Sequence, residues 1–199
     1  MKTLIVYAHL IAACIALGVT FVQDLALARS KGAALTPQAI AELKKAAEIV
    51  VMALIVLWVS GAGLVTMGYL DDPAQYLLNQ KLWAKVAVVA LLTLNGIVLH
   101  HYSFPRVTSS GGITSLSYTE QTLVALTGAL SSVSWLFACF LGIARPWNYT
   151  LSFSLIMCIY VGLVIGAFVV ACEVMRTMRR ADSTHMGKAI ELNSPRKFD

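Results

Sequence analysis

Residues 49–70 read IVVMALIVLWVSGAGLVTMGYL, an apolar run without a single charged side chain. About 18 or more apolar residues in a row are enough for a helix to cross the ~30 Å hydrocarbon layer of a bilayer. Working outward from this run, four more stretches have the same character. The five spans are 3–28, 46–70, 82–104, 119–144 and 149–175. The composition agrees: 58% of residues are hydrophobic and 13% charged, with a mean hydropathy of +0.76, against about 25% charged in an ordinary soluble domain. Lipid admits only helices or closed barrels, and no ten-residue alternation of apolar and polar residues suggests a barrel. The expected fold is therefore all-α, a polytopic transmembrane bundle of five helices.

Residues 1–180 are expected to form one domain, because the connections are too short to fold separately. Residues 181–199 are polar and aperiodic and read as a flexible basic tail. Ala26-Leu27-Ala28 behind the first apolar run imitates a signal-peptide cleavage region. The run is long for a signal sequence, so the first segment is read as a retained span.

The net charge of +5 follows the membrane and is not a nucleic-acid signature. Arg29, Lys31, Lys44, Lys45, Arg106, Arg176, Arg179, Arg180, Lys188, Arg196 and Lys197 lie on one side, and Lys2, Lys81 and Arg145 on the other. The positive-inside rule puts the N-terminus outside and the C-terminus in the cytoplasm, as in a bacterial-type inner (plasma) membrane. The expected surroundings are the lipid bilayer and a homo-oligomer or a larger membrane complex.

Local signals refine this outline. Thr36-Pro37 reads as an N-cap followed by proline at the first helical position, with a helix running unbroken into the second span. Ser117 and Glu120 read as a capping box opening the fourth. Ser60-Gly61-Ala62-Gly63 in span two, and Gly162 and Gly166 in span five, offer small surfaces for close helix approach. Tyr69, Tyr76 and Trp83 suit an aromatic belt on the outer face.

Ionisable groups inside a span are expensive, and each calls for a functional explanation and a plainer one. Near the outer face are His9 and Lys85. Near the cytoplasmic face are Asp24, Glu48, His100, His101, Glu120 and Glu173, with Asn95 slightly deeper. His9 and His100 cannot share one haem, because their levels differ by about 20 Å at 1.5 Å per residue. His9 alone is a candidate ligand of a haem or metal, with Lys85 as partner of an anionic group such as a propionate. The plainer reading has His9 hydrogen-bonded at headgroup level and Lys85 extending its ammonium outward.

His100, His101, Asp24 and Glu173 carry the donor types of a metal or proton site. A solvated, ion-paired helix end is the alternative, because most of these carboxylates lie near an end of a span, Glu120 in a first turn where the macrodipole favours negative charge. Cys14, Cys139 and Cys158, with Met157, are soft ligands suited to Cu(I), and equally ordinary packing residues. There is no CxxC or CxxCH, triad, P-loop or dinucleotide fingerprint.

Tyr7-Ala8-His9-Leu10 running to Gly18, then Leu57-Trp58-Val59-Ser60-Gly61, then Lys81-Leu82-Trp83-Ala84-Lys85 together resemble two related membrane groups. These are the copper-resistance D-type proteins and the membrane protoporphyrinogen oxidases. The resemblance spans residues 4–106 and rests on single positions. It implies a helical bundle with haem b, His9 as haem ligand, and Lys85 as a functional partner in porphyrin oxidation, hence an oxidoreductase. The chain departs from the oxidase pattern at Leu94-Asn95, where that family has Tyr-His, and at Ile15-Ala16-Leu17, where it has a tryptophan. Three functions stay open: haem or porphyrin handling on the outer side; a cofactor-free accessory subunit or assembly factor; and metal or proton transport through the cytoplasmic cluster.

Overall fold

The computed structural model describes the backbone of residues 2–30, 33–109 and 111–193. Among these residues there is no strand. Five long helices make up the chain: α1 Lys2–Arg29, α2 Pro37–Asp71, α3 Gln80–Val107, α4 Tyr118–Ile143 and α5 Phe153–Asn193. All five carry a stretch long and apolar enough to span a membrane. The architecture is that of a multi-pass helical membrane protein.

The helix starts follow the local chemistry. The Thr36 hydroxyl accepts the Ala39 N–H at 3.2 Å with Pro37 directly behind it, so α2 begins well before its apolar stretch. The Asn79 side-chain Oδ1 accepts the Lys81 N–H at 3.2 Å and opens α3. Ser117 and Glu120 form the reciprocal capping box of α4. The fifth helix starts at Phe153, later than the expected 149. A tight turn at Arg145–Trp147 and a left-handed Tyr149 (φ 58°) reverse the chain first. Helical backbone continues to Asn193, through the stretch read as a loose tail, whose residues 194–199 lie outside the described residues.

Contacts between helix ends fix the topology. Lys2 pairs with Asp71 at 2.6 Å, joining the start of α1 to the end of α2. Lys81 reaches Ala144, joining the start of α3 to the end of α4. The Phe153 N–H donates to Gln80 at 2.6 Å, which puts the start of α5 at the same end. At the opposite end Arg106 meets Glu120 at 3.0 Å. Successive helices therefore alternate in direction, with a Lys2 end and an Arg106 end.

Two apolar clusters hold the bundle. Ala84 and Val88 of α3, Phe137, Ala138 and Leu141 of α4, and Ile156 and Tyr160 of α5 form one. Ala12 and Ala16 of α1, Ala53 of α2, Leu92 of α3 and Trp135 of α4 form the other. Lipid tails are as apolar as these side chains, so close packing and interhelical hydrogen bonds must hold the helices together. Small residues let the backbones approach, and α4, which belongs to both clusters, is the most enclosed helix, 33% buried over its apolar window.

Polar ties run between the helices. Trp58 of α2 donates its indole N–H to Thr93 of α3 at 3.0 Å. Tyr160 and Ser134 share a buried hydrogen bond of 2.8 Å. Asn95 donates to the Thr127 carbonyl at 2.9 Å, and Ser103 bonds the Thr127 hydroxyl at 2.8 Å. Between Asn95 and Ser103 the helix widens into a π turn at Leu99–Ser103.

The glycines expected to mediate packing divide. Gly61 and Gly63 face α1, where a Cβ would lie 3.6 Å from the His9 ring and 3.9 Å from Ile5. Gly162 and Gly166 are exposed, and a Cβ at either position would meet nothing within 4 Å, so they pack against no described residue. In the connection between α2 and α3, Tyr76 packs on Gly68 so closely that any side chain there would collide with its ring. Burial pushes the Tyr76 phenol above its ordinary range, which keeps it neutral.

Candidate functional site

Four helices contribute to one polar locus toward the Lys2 end. From α1 comes His9, half-buried, with its Nδ1 2.8 Å from the Ser60 hydroxyl of α2. Ser60 is itself 2.5 Å from the Val56 carbonyl one turn back, a bond that only its hydroxyl proton can make. That proton being used, Ser60 meets His9 as an acceptor and Nδ1 carries the ring hydrogen. Nε2 is then the nitrogen with the free lone pair. This is the arrangement seen in metal-ligating histidines, whose second ring nitrogen donates to a fixed acceptor and sets the tautomer.

Why the sequence places the ring here is clear from α2. Gly61 has no side chain, and the His9 ring lies over it, so the histidine can bury against α2 instead of projecting outward. Ser60 and Gly61 act together, one as acceptor and one as space. Their signal in the sequence is a hydroxyl beside a glycine in the middle of an otherwise apolar run.

From α3 comes Lys85, half-buried, with its ammonium against Gly142 of α4, where a Cβ would lie 3.6 Å from Nζ. It stands in the neighbourhood of His9 of α1 and Cys139 of α4. No hydrogen bond or ion pair within the described residues engages this ammonium. His9 and Lys85, the two residues expected at an outer site, are thus brought into one neighbourhood. An imidazole nitrogen with a lone pair and an uncommitted ammonium suit a planar, carboxylate-bearing ligand such as haem.

Lys81, one turn before Lys85, is in a different situation. It is only 8% exposed and donates to the Ala144 carbonyl at 3.0 Å. A cation at the C-terminus of α4 meets the negative end of its dipole, so Lys81 is a structural cap. Sequence reasoning counted it as an outer-side charge and as part of the Lys81–Lys85 stretch, without a capping role.

The other expected donors are dispersed. Asp24 of α1 accepts a 2.6 Å hydrogen bond from Ser132 of α4. His100 and His101 sit in the π turn, both exposed, with ring centroids 5.3 Å apart and edge to face. Glu173 pairs with Arg176 on the exposed surface of α5. Glu120 is engaged by Ser117 and Arg106, and the Arg106 guanidinium also lies 3.4 Å from the Tyr102 ring centroid. Glu42 accepts a hydrogen bond from Gln38 at 3.1 Å. The grouping of His100, His101, Asp24 and Glu173 is therefore not assembled: among the described residues no three His, Cys, Asp or Glu side chains come together as a metal-holding set. All four cysteines are free thiols.

Ser132 stands fourteen positions after Tyr118 and eleven before Ile143, so the Asp24 carboxylate meets α4 near the middle of that helix. Comparison of the chain with protein-family models, with curated proteins and with solved structures finds no match.

Proposed function

We propose that this protein holds a haem or related porphyrin at the Lys2 end of the bundle and serves in redox or cofactor handling. The observation that carries the reading is the His9–Ser60 hydrogen bond, which commits Nδ1 and leaves Nε2 available as an axial donor. Lys85 supplies a positive charge in the same neighbourhood, where a propionate would otherwise be costly to place in a span. Haem so held would supply one-electron redox chemistry. The chain's own part is to fix the imidazole through Ser60, make room for it at Gly61, and balance ligand charge through Lys85.

The orientation belongs to the same proposal. Arg29, Lys44, Lys45, Arg106 and Arg176 gather toward the Arg106 end, which the positive-inside rule assigns to the cytoplasm. The site then opens toward the outer face of a bacterial-type inner membrane.

The test is the absorption spectrum of the protein purified in mild detergent, oxidised and then reduced with dithionite. The expected result is a Soret band that shifts on reduction, present in wild type and absent in His9→Ala. Undiminished haem in that variant sinks the assignment. A featureless spectrum from a preparation that retains a stoichiometric partner protein favours the cofactor-free accessory subunit instead.

A further inference from the structure

The Asp24–Ser132 contact lies outside the site just described, further along α1 and α4 toward the Arg106 end. Asp24 is an exposed residue on the outside of the bundle, yet its carboxylate is bonded to a hydroxyl at the middle of a membrane-spanning helix. At 1.5 Å per residue, Ser132 is about 21 Å from the Tyr118 end of α4 and about 16 Å from the Ile143 end. The neighbouring exposed side chains on α1 include Phe21, Val22 and Leu25, a surface suited to lipid. An ionised carboxylate in such a place needs a counter-charge or a proton.

Among the described residues no counter-charge is at hand. α4 carries no charged side chain beyond Glu120, and its other titratable groups are Tyr118 at its start and Cys139 toward the Lys2 end. α2, the other helix packed on α1, carries Glu42, Lys44, Lys45 and Glu48 in its first third. On α1 itself the nearest charge is Arg29. Among the described residues Asp24 forms no ion pair with any of these, and its sole hydrogen-bond partner is Ser132.

The Ser132 hydroxyl has two acceptors within reach: Asp24 Oδ2 at 2.6 Å and the Gly128 carbonyl, one turn back, at 3.1 Å. When Asp24 is ionised, Ser132 donates to it. When Asp24 is protonated, the acid donates to the Ser132 oxygen and the hydroxyl rotates to Gly128. Both states are satisfied by turning one O–H, with no heavy atom displaced. From this geometry we infer that Asp24 and Ser132 form a reversible proton-binding site at mid-membrane, facing the lipid side of the bundle. One proton is taken up on the carboxylate and returned to the aqueous phase, with no other group changed. The site does not depend on a bound chromophore, so it stands or falls separately from the haem reading.

The experiment uses dicyclohexylcarbodiimide, an apolar reagent that modifies protonated carboxyl groups reached from lipid. The full chain in lipid nanodiscs is treated over a range of pH, and modified peptides are mapped by mass spectrometry. The expected result is a label at Asp24 that falls several-fold as the pH rises, with Asp71, Asp72 and Glu48 unlabelled. Asp24→Asn should remove the label and, in infrared difference spectra, the carbonyl band of a protonated acid. Ser132→Ala removes the donor that favours the ionised form, so labelling should persist to higher pH. Failure of Asp24 to label at any pH, or labelling unchanged by both pH and Ser132→Ala, overturns the inference. A counter-charge supplied by a partner protein would produce the first of these outcomes.

Discussion

The Lys81 ammonium at the start of α3 donates a 3.0 Å hydrogen bond to the Ala144 carbonyl at the end of α4. One side chain thus ties two helices at the level where both meet the membrane surface. Lys81→Met keeps most of the volume and loses the donor. Hydrogen bonds to charged groups contribute about 1.5–3 kcal/mol, so thermal unfolding in detergent should begin at a clearly lower temperature. Lys81→Arg, which retains a donor, should recover part of the loss. A Met variant as stable as wild type would remove the capping role.

Tyr160 and Ser134 make an asymmetric pair. The Ser134 hydroxyl is 2.5 Å from the Leu130 carbonyl, so its proton is already used and Tyr160 is the donor between them. Tyr160→Phe leaves Ser134 satisfied and should cost only about 0.6 kcal/mol, a typical interhelical value in a membrane. Ser134→Ala strands a buried phenol and should cost about 1–3 kcal/mol. Reversal of that order, measured by denaturation of the two variants, would contradict the assigned donor.

Ser60 acts on His9 from outside any ligand. Ser60→Ala should leave a chromophore detectable but lower its affinity about 10- to 100-fold, the usual effect of losing the partner that orients a ligating histidine. Haem titration of the two apoproteins reads this directly. Equal affinities would mean that the hydrogen bond does not hold the imidazole in its working position.

Gly61 offers a graded probe of the same site. A Cβ there would lie 3.6 Å from the His9 ring, an ordinary contact, so Gly61→Ala should be nearly neutral. Gly61→Leu must displace the ring or separate α1 from α2, with overpacking expected to cost about 1–3 kcal/mol. The Leu variant should lose both stability and any haem band, and the Ala variant neither.

Much of the fold was legible because a membrane span is a matter of length and apolar content. The start of α2 at Pro37 and of α4 at Tyr118 were readable as well, since Thr36 and Ser117 announce their caps. Lateral pairing was not. When nearly every face of a helix is apolar, hydropathy does not distinguish the side that meets lipid from the side that meets another helix. For that reason Gly162 and Gly166 read as a packing face and proved exposed, while Ser60 read as a mere small residue and proved to orient His9. The partner of Asp24 was hidden for a related reason: counting along α1 puts it near a helix end, and nothing in the sequence says that it meets the middle of α4.

The π turn at Leu99–Ser103 has a consequence for register. Asn95 and Ser103 are eight positions apart and both reach Thr127. In an undisturbed α-helix, turning about 100° per residue, they would point about 80° apart. The widened turn takes up one residue and restores the phase between Asn95 and Ser103. His100 and His101 lie on the slack of that adjustment and are turned outward. The segment behaves as a phase corrector between two halves of one helix. Shortening it by a single residue would leave α3 straight, with both halves still meshed with α4.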